Sequence, residues 1–172
     1  MPSSLKLAET TIELIKVYIR TNIGAALAAV WNDRNDGRVT LETPSEYFIY
    51  VPTHAYRRPA IIITCNDFNF RLPSGPNFIN ALARVNVELV VQDRDSNSLT
   101  IKTWRYQAAL VKLLDNAELT TTDNSVKIVT KVIATPFSGD GTMEERDPQD
   151  PIAVFAKGVQ IELDVEHYEK KV

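Results

Sequence analysis

Apolar residues change their spacing twice along this chain. Ala8, Ile12, Ile15, Ile19, Ile23, Ala26 and Val30 recur every three or four positions, the interval that keeps one side of a helix turned inward. Ser3 and Ser4 are placed to cap this segment, and Asn32-Asp33-Arg34-Asn35-Asp36-Gly37 stops it. The pattern predicts a helix from about Leu5 to Trp31, roughly 40 Å long at 1.5 Å per residue.

From Tyr47 the pattern shifts to short β-branched and aromatic runs, Tyr47 to Val51 and Ala60 to Thr64, separated by Pro52 and Pro59. Proline cannot sit inside a central ladder, so these are two strands with an irregular link. Asn66 to Asn77 holds Pro73, Gly75 and Pro76 among polar residues and reads as a loop. In Arg84 to Val91 the apolar Val85, Val87, Leu89 and Val91 alternate with polar residues until Val90, a strand with one face inward. Asp93 to Ser98 is a turn followed by a cap, and Ile101, Trp104, Ala108 and Val111 return to helical spacing through about Leu114. Val126 to Ile133 and Val159 to Val165 are the closing strands, consecutive and expected to form a hairpin. Between them Ser138 to Pro151 is acidic and rich in Gly and Pro, a mobile loop or a long hairpin tip. The expected fold is α+β, order α-β-β-β-α-β-β: an antiparallel or mixed sheet of about five strands, a long N-terminal helix and a second helix packed on it.

Composition narrows the class. With 172 residues, 44% hydrophobic and 24% charged, the chain is expected to form one globular domain over 1–172, with long loops at 66–77 and 138–151. A net charge of −3 offers no general attraction to phosphates, so no specific nucleic acid is expected as a ligand. The single cysteine, Cys65, closes an apolar run and reads as a small core residue in a reducing compartment. The N-terminal residues lack a signal-peptide pattern, and no apolar run approaches the roughly 20 residues that span a bilayer, so no membrane partner is expected.

Candidate chemistry is sparse. His54 and His167 stand in no metal-binding spacing and read as solvated or packed side chains. Cys65 lacks the setting of a reactive thiolate. Asp93-x-Asp95-x-Asn97 resembles the start of a calcium loop, but Ser98 and Trp104 replace the glycine and glutamate that such a loop needs, and the helix cap is the better reading. No glycine-rich phosphate cradle exists, and Glu144 and Glu145 read as solvated surface, not as an acid–base pair. No cofactor, metal or catalytic residue is assigned, and the chain is expected not to be an enzyme. Tyr56, Arg57, Arg58 and Arg71 form the one basic locality, with Tyr47, Phe48, Tyr50, Phe68 and Phe70 near in sequence. Such a mixture suits a protein-contacting surface better than stacking on single-stranded nucleic acid. Tyr47, Tyr50, Tyr56, Arg57, Arg58, Phe68, Phe70, Arg71, Glu144, Glu145 and Arg146 are the candidate interface residues.

Taken in order, the N-terminal helix, the strand Arg58 to Ile63, the strand Ala83 to Val91 with its following turn Asp93 to Ser98, the Trp-bearing helix Ile101 to Leu114 and the closing strand Ala156 to Tyr168 resemble the tail-terminator proteins of long-tailed bacteriophages. That resemblance covers Leu5 to Tyr168. It implies a homo-oligomeric, hexameric ring that caps the tail tube, ends tube polymerisation and joins the tail to the neck or head connector. The partners it implies are the tube protein and the connector, and the place is the tail–neck region of a virion assembled in the host cytoplasm. Its mechanical role needs no cofactor. The strands Tyr47 to Val51 and Val159 to Val165 are expected to supply the subunit contacts, and the two loops are free to reach a neighbour, the tube or the connector. Two other readings fit the same order of elements: another neck component, such as a head-closure or tail-completion protein, and a small ligand-binding protein whose pocket would gather His54, Arg57, Arg58 and Arg71.

Overall fold

Helix α1 runs from Leu7 to Arg34 and buries Ile12, Ile15, Ile19 and Ile23 of the stripe that the spacing marked, together with Leu27, which it did not mark, while Ala8, Ala26 and Val30 are half-buried. It ends three residues later than expected. The stop lies in the backbone of the next turn: Asn35 donates its N–H to the Trp31 carbonyl at 2.8 Å, and Asn35 and Gly37 take positive φ of 37° and 64°, values that asparagine and glycine tolerate best. The computed structural model describes residues 7–53, 57–71, 78–135, 143–145 and 154–170.

Seven strands follow, interrupted by one helix: β1 (Glu46–Phe48), β2 (Ala60–Arg71), β3 (Phe78–Asp93), α2 (Ser96–Leu114), β4 (Glu118–Thr120), β5 (Val126–Ala134), β6 (Met143–Glu145) and β7 (Val154–Lys170). Their order across the sheet is β1-β2-β3-β7-β5-β4, with β6 paired to β7 off that path. β1 lies parallel to β2 and the other pairs are antiparallel, so the sheet is mixed and the class is α+β. Both strands missing from the sequence reading, β4 and β6, have three residues, too few to display an alternation.

Two loop assignments need correction. Asn66 to Arg71 is not loop but the continuation of β2. The register moves between Cys65 and Asp67, a bulge that carries the strand past its polar stretch; residues 72–77 lie outside the described set. Within 138–151, Met143–Glu145 is a strand bonded to Val154–Ala156, and the remainder lies outside the described residues.

β3 and β7 are the long central pair, in register from Phe78↔Lys170 to Asp93↔Phe155. Their inward positions, Ala83, Val85, Val87 and Leu89 against Val159, Ile161, Leu163 and Val165, are fully buried. Ile61 and Ile63 of β2 and Ile128 of β5 extend the same face. α2 packs Leu99, Tyr106, Ala109, Leu110 and Leu114 into this core. α1 touches β1, β2 and β4, strands from both edges, so the sheet curls about the helix.

Polar groups set the ends of α2 and its links. Asp95 caps it by accepting from the Ser98 N–H at 2.7 Å, while Asp93 accepts from the Asp95 N–H at 2.9 Å and pairs with Lys102 at 2.7 Å. These carboxylates are directed at the backbone and at a lysine. The Tyr106 hydroxyl donates to the Glu42 carbonyl at 2.6 Å and accepts from the Glu42 N–H at 2.9 Å, tying the α1–β1 connection to α2. Tyr106→Phe leaves both backbone groups without that partner and is expected to cost about 1–3 kcal/mol in urea denaturation.

Candidate assembly surface

The residues singled out as an interface divide between the two ends of β2. At its start lie Tyr47, Tyr50, Arg57 and Arg58. Tyr47 pairs with Ile61 on the helix-facing side, half-buried against the core, and that burial pushes its hydroxyl pKa up. Tyr50 is 57% exposed and packs edge-on against Phe48, with ring centroids 6.1 Å apart. Val51 beside it is 70% exposed, Arg57 is exposed and Arg58 half-buried.

At the far end lie Phe68, Phe70 and Arg71. Phe68 meets Phe70 at 5.7 Å and the His167 ring at 5.8 Å. Phe70 is half exposed, whereas Arg71 points to the opposite face and pairs with Glu166 at 3.4 Å. Phe68 stands seven residues along β2 from Ile61, the partner of Tyr47, roughly 23 Å at about 3.3 Å per residue, and Arg57 and Arg58 precede the strand whose last residue is Arg71. The single basic locality expected from the sequence therefore does not form: Arg57 and Arg58 are near Arg71 in sequence but not in space. Among the described residues, Arg57 and Arg58 therefore share no pocket with Arg71.

His54, Tyr56 and Arg146 lie outside the described residues. Glu144 and Glu145 belong to β6, where their backbones pair with Phe155 and Val154. Of the four exposed aromatics among the described residues outside the candidate set, Trp31, Trp104, Phe78 and Tyr168, the last two line one hollow together. They flank a groove of about 510 Å³ lined also by Asn80, Ser125, Lys127 and Lys170. Tyr168 was legible by parity: Val159, Ile161, Leu163 and Val165 point inward, so position 168 points out.

The strand Val159 to Val165, expected to supply subunit contacts, is not an edge strand over Glu162 to Val165. β7 occupies the middle of the sheet; Glu162 to Val165 are bonded by β3 on one side and by β5 on the other, and the inward side chains are fully buried. The edges are β1 and β4. In the β4–β5 ladder, Thr121 donates to Val126 and Thr130 to Ala117, at 3.0 and 2.9 Å. Antiparallel pairing alternates, so Glu118 and Thr120 turn their N–H and C=O groups away from β5.

His167 is the one buried histidine described. Its Nδ1 sits 2.9 Å from the Thr11 hydroxyl of α1, and burial depresses its pKa to about 4, so it is neutral at neutral pH. Cys65 is half-buried; its thiol donates to the Asp67 carbonyl at 3.3 Å, and burial raises its pKa, away from thiolate chemistry. Among the described residues no group of three or more His, Cys, Asp or Glu is arranged to hold a metal, and no helix is long and apolar enough to cross a membrane.

No family model matches the chain, and no curated protein matches it. Among solved structures, a chain described as "Virion of native gene transfer agent (GTA) particle" is 12% identical, with 97% of this chain and 99% of that chain covered, at a TM-score of 0.39. A likeness of that size carries no inference about what either protein contacts.

Proposed function

We propose that this chain is a structural subunit of a phage-type virion that closes into a ring at the end of the tail tube, halts tube growth there and joins the tail to the neck. The observation that carries this reading is the open sheet: among the described residues its path ends in a short strand on each side, β1 and β4, each paired to one neighbouring strand. Unpaired strand edges are templates for further pairing. Two different edges on one subunit support a head-to-tail contact, and such a contact makes a ring when its rotation closes. Each edge strand has three residues, which is too short a ladder to bind alone and limits uncontrolled growth. Exposed Tyr50 and Val51 beside β1 add the apolar anchors that interface centres need. The role is mechanical and needs no catalytic group.

The test combines the purified chain with the polymerising tube protein of the same virion, imaged by electron microscopy. Rings seated on tube ends are expected. Thr120→Pro removes an outward N–H from β4 without touching its ladder to β5, an arrangement proline accepts at an edge. Tyr50→Lys charges the β1 side. Both variants are expected to keep the wild-type circular dichroism and to lose rings. Bare tube ends with the unaltered chain, or rings that persist in both variants, would sink the proposal.

A further inference from the structure

The turn that ends α1 and the outer side of α2 enclose a hollow of about 250 Å³ lined by Val30, Arg34, Asp36, Arg38, Trp104 and Arg105. Three arginines and one aspartate line it, a local charge of +2 on a chain whose net charge is −3. Asp36 pairs with Arg105 Nη2 and, at 3.8 Å, with Arg38. Its carboxyl is held down at about 2 by the hydrogen bond from Arg105 and the backbone N–H of Arg38, so it stays ionised at any ordinary pH and neutralises one of the three cations. Arg105 is 7% exposed, and its Nη1 has no hydrogen-bond partner. A guanidinium is a planar fork that matches a carboxylate with two parallel bonds; here Nη2 is taken by Asp36 and Nη1 is itself buried, so Arg105 acts on the hollow through its charge.

Beside these cations Trp104 is 55% exposed, although α2 has an apolar face to bury it in. Tryptophan and arginine together are the composition of interface hot spots. The indole also offers contact to the methylene stem of an acidic side chain, which a free phosphate lacks. We propose that this hollow docks an acidic side chain of a protein partner, its carboxylate between Arg34 and Arg38 with Arg105 at the floor and its stem against Trp104. This site does not depend on ring closure; a chain that never forms rings still carries it.

The test uses a Trp31→Phe background, which leaves Trp104 as the sole fluorophore of the two tryptophans. A short peptide alternating glutamate and leucine is titrated beside its glutamine counterpart and inorganic phosphate. The glutamate peptide is expected to shift Trp104 emission saturably, less strongly as salt rises, and to bind about tenfold more weakly in Arg34→Gln or Arg38→Gln. Both arginines are exposed, and unchanged circular dichroism separates lost binding from lost folding. Binding equal for the glutamine peptide, a matching response to phosphate, undiminished affinity in both arginine variants, or no response to the glutamate peptide each overturns the proposal.

Discussion

Ile161→Ala is expected to destabilise the fold by about 3–4 kcal/mol, read as a lower urea midpoint with an unchanged slope. Ile161 is fully buried at the centre of β7, opposite Val87 of β3 and within the cluster that α1 and α2 cover. Truncation removes three carbons and leaves a cavity whose walls, built from a long two-strand ladder, have little freedom to collapse. Domains of this size are stable by only about 5–15 kcal/mol, so the loss is a large fraction of the whole and corresponds to a melting temperature lower by roughly 10 °C. The same substitution separates two roles for β7. A contact strand would lose assembly and keep its stability; a core strand loses stability first. A midpoint unchanged in Ile161→Ala would contradict the central position of β7.

Acidification is expected to weaken the fold between about pH 6.5 and 4, by roughly 3 kcal/mol from His167 alone. The sign follows from which state takes up the proton. The unfolded imidazole binds one below its ordinary pKa of 6.5, while the folded one, buried against Thr11 and the Phe68 ring, resists until about 4. Stability is therefore complete above 6.5 and drains away as the pH falls through that window. The nearest charged group is Glu169, whose Oε2 lies 3.5 Å from His167 Nε2. Its pKa is raised by partial burial, which works in the opposite direction as it takes up its own proton. Asp36 and Asp123, held at about 2, lose their contribution only below about 3.8, clear of the histidine window. His167→Phe keeps the ring volume and removes the titration. The difference between wild type and His167→Phe in urea midpoints at pH 7 and pH 4.5 isolates the effect, and equal slopes in the two proteins would refute it.

α1, the presence of α2 and the inward positions of the central strands were legible in the spacing, but the stripe Ile101, Trp104, Ala108 and Val111 marked on α2 is its outer side, and Leu99, Tyr106, Ala109, Leu110 and Leu114 face the core. α1 repeats an isoleucine every three or four positions, β3 alternates from Val85 to Leu89 and β7 from Val159 to Val165. β4 and β6 were invisible, since Glu118-Leu119-Thr120 and Met143-Glu144-Glu145 offer one apolar residue apiece. Strand order was hidden for a different reason. Val159, Ile161, Leu163 and Val165 show which face is inward, but nothing in that alternation says whether one neighbour or two will bond along the backbone. The candidate interface residues are close in sequence but spread along β2, because the strand continues past Thr64 to Arg71 and carries Phe68, Phe70 and Arg71 away from Tyr47 beside Ile61. The hollow at Trp104 was legible only in fragments, because Arg34 and Arg38 in a turn and Arg105 on a helix share no sequence interval.

The placement of β7 also sets a timetable for the nascent chain. Every residue of β3 pairs across the sheet with a residue more than about sixty positions later, a separation that slows folding through the entropy of closing so long a loop. At a synthesis rate of about 5–20 residues per second, the strand that completes the ladder emerges several seconds after β3 does. During that interval the β2–β3 pair waits with an open row of backbone N–H and C=O groups along β3 and an uncovered apolar face, the arrangement most exposed to mispairing until β7 arrives.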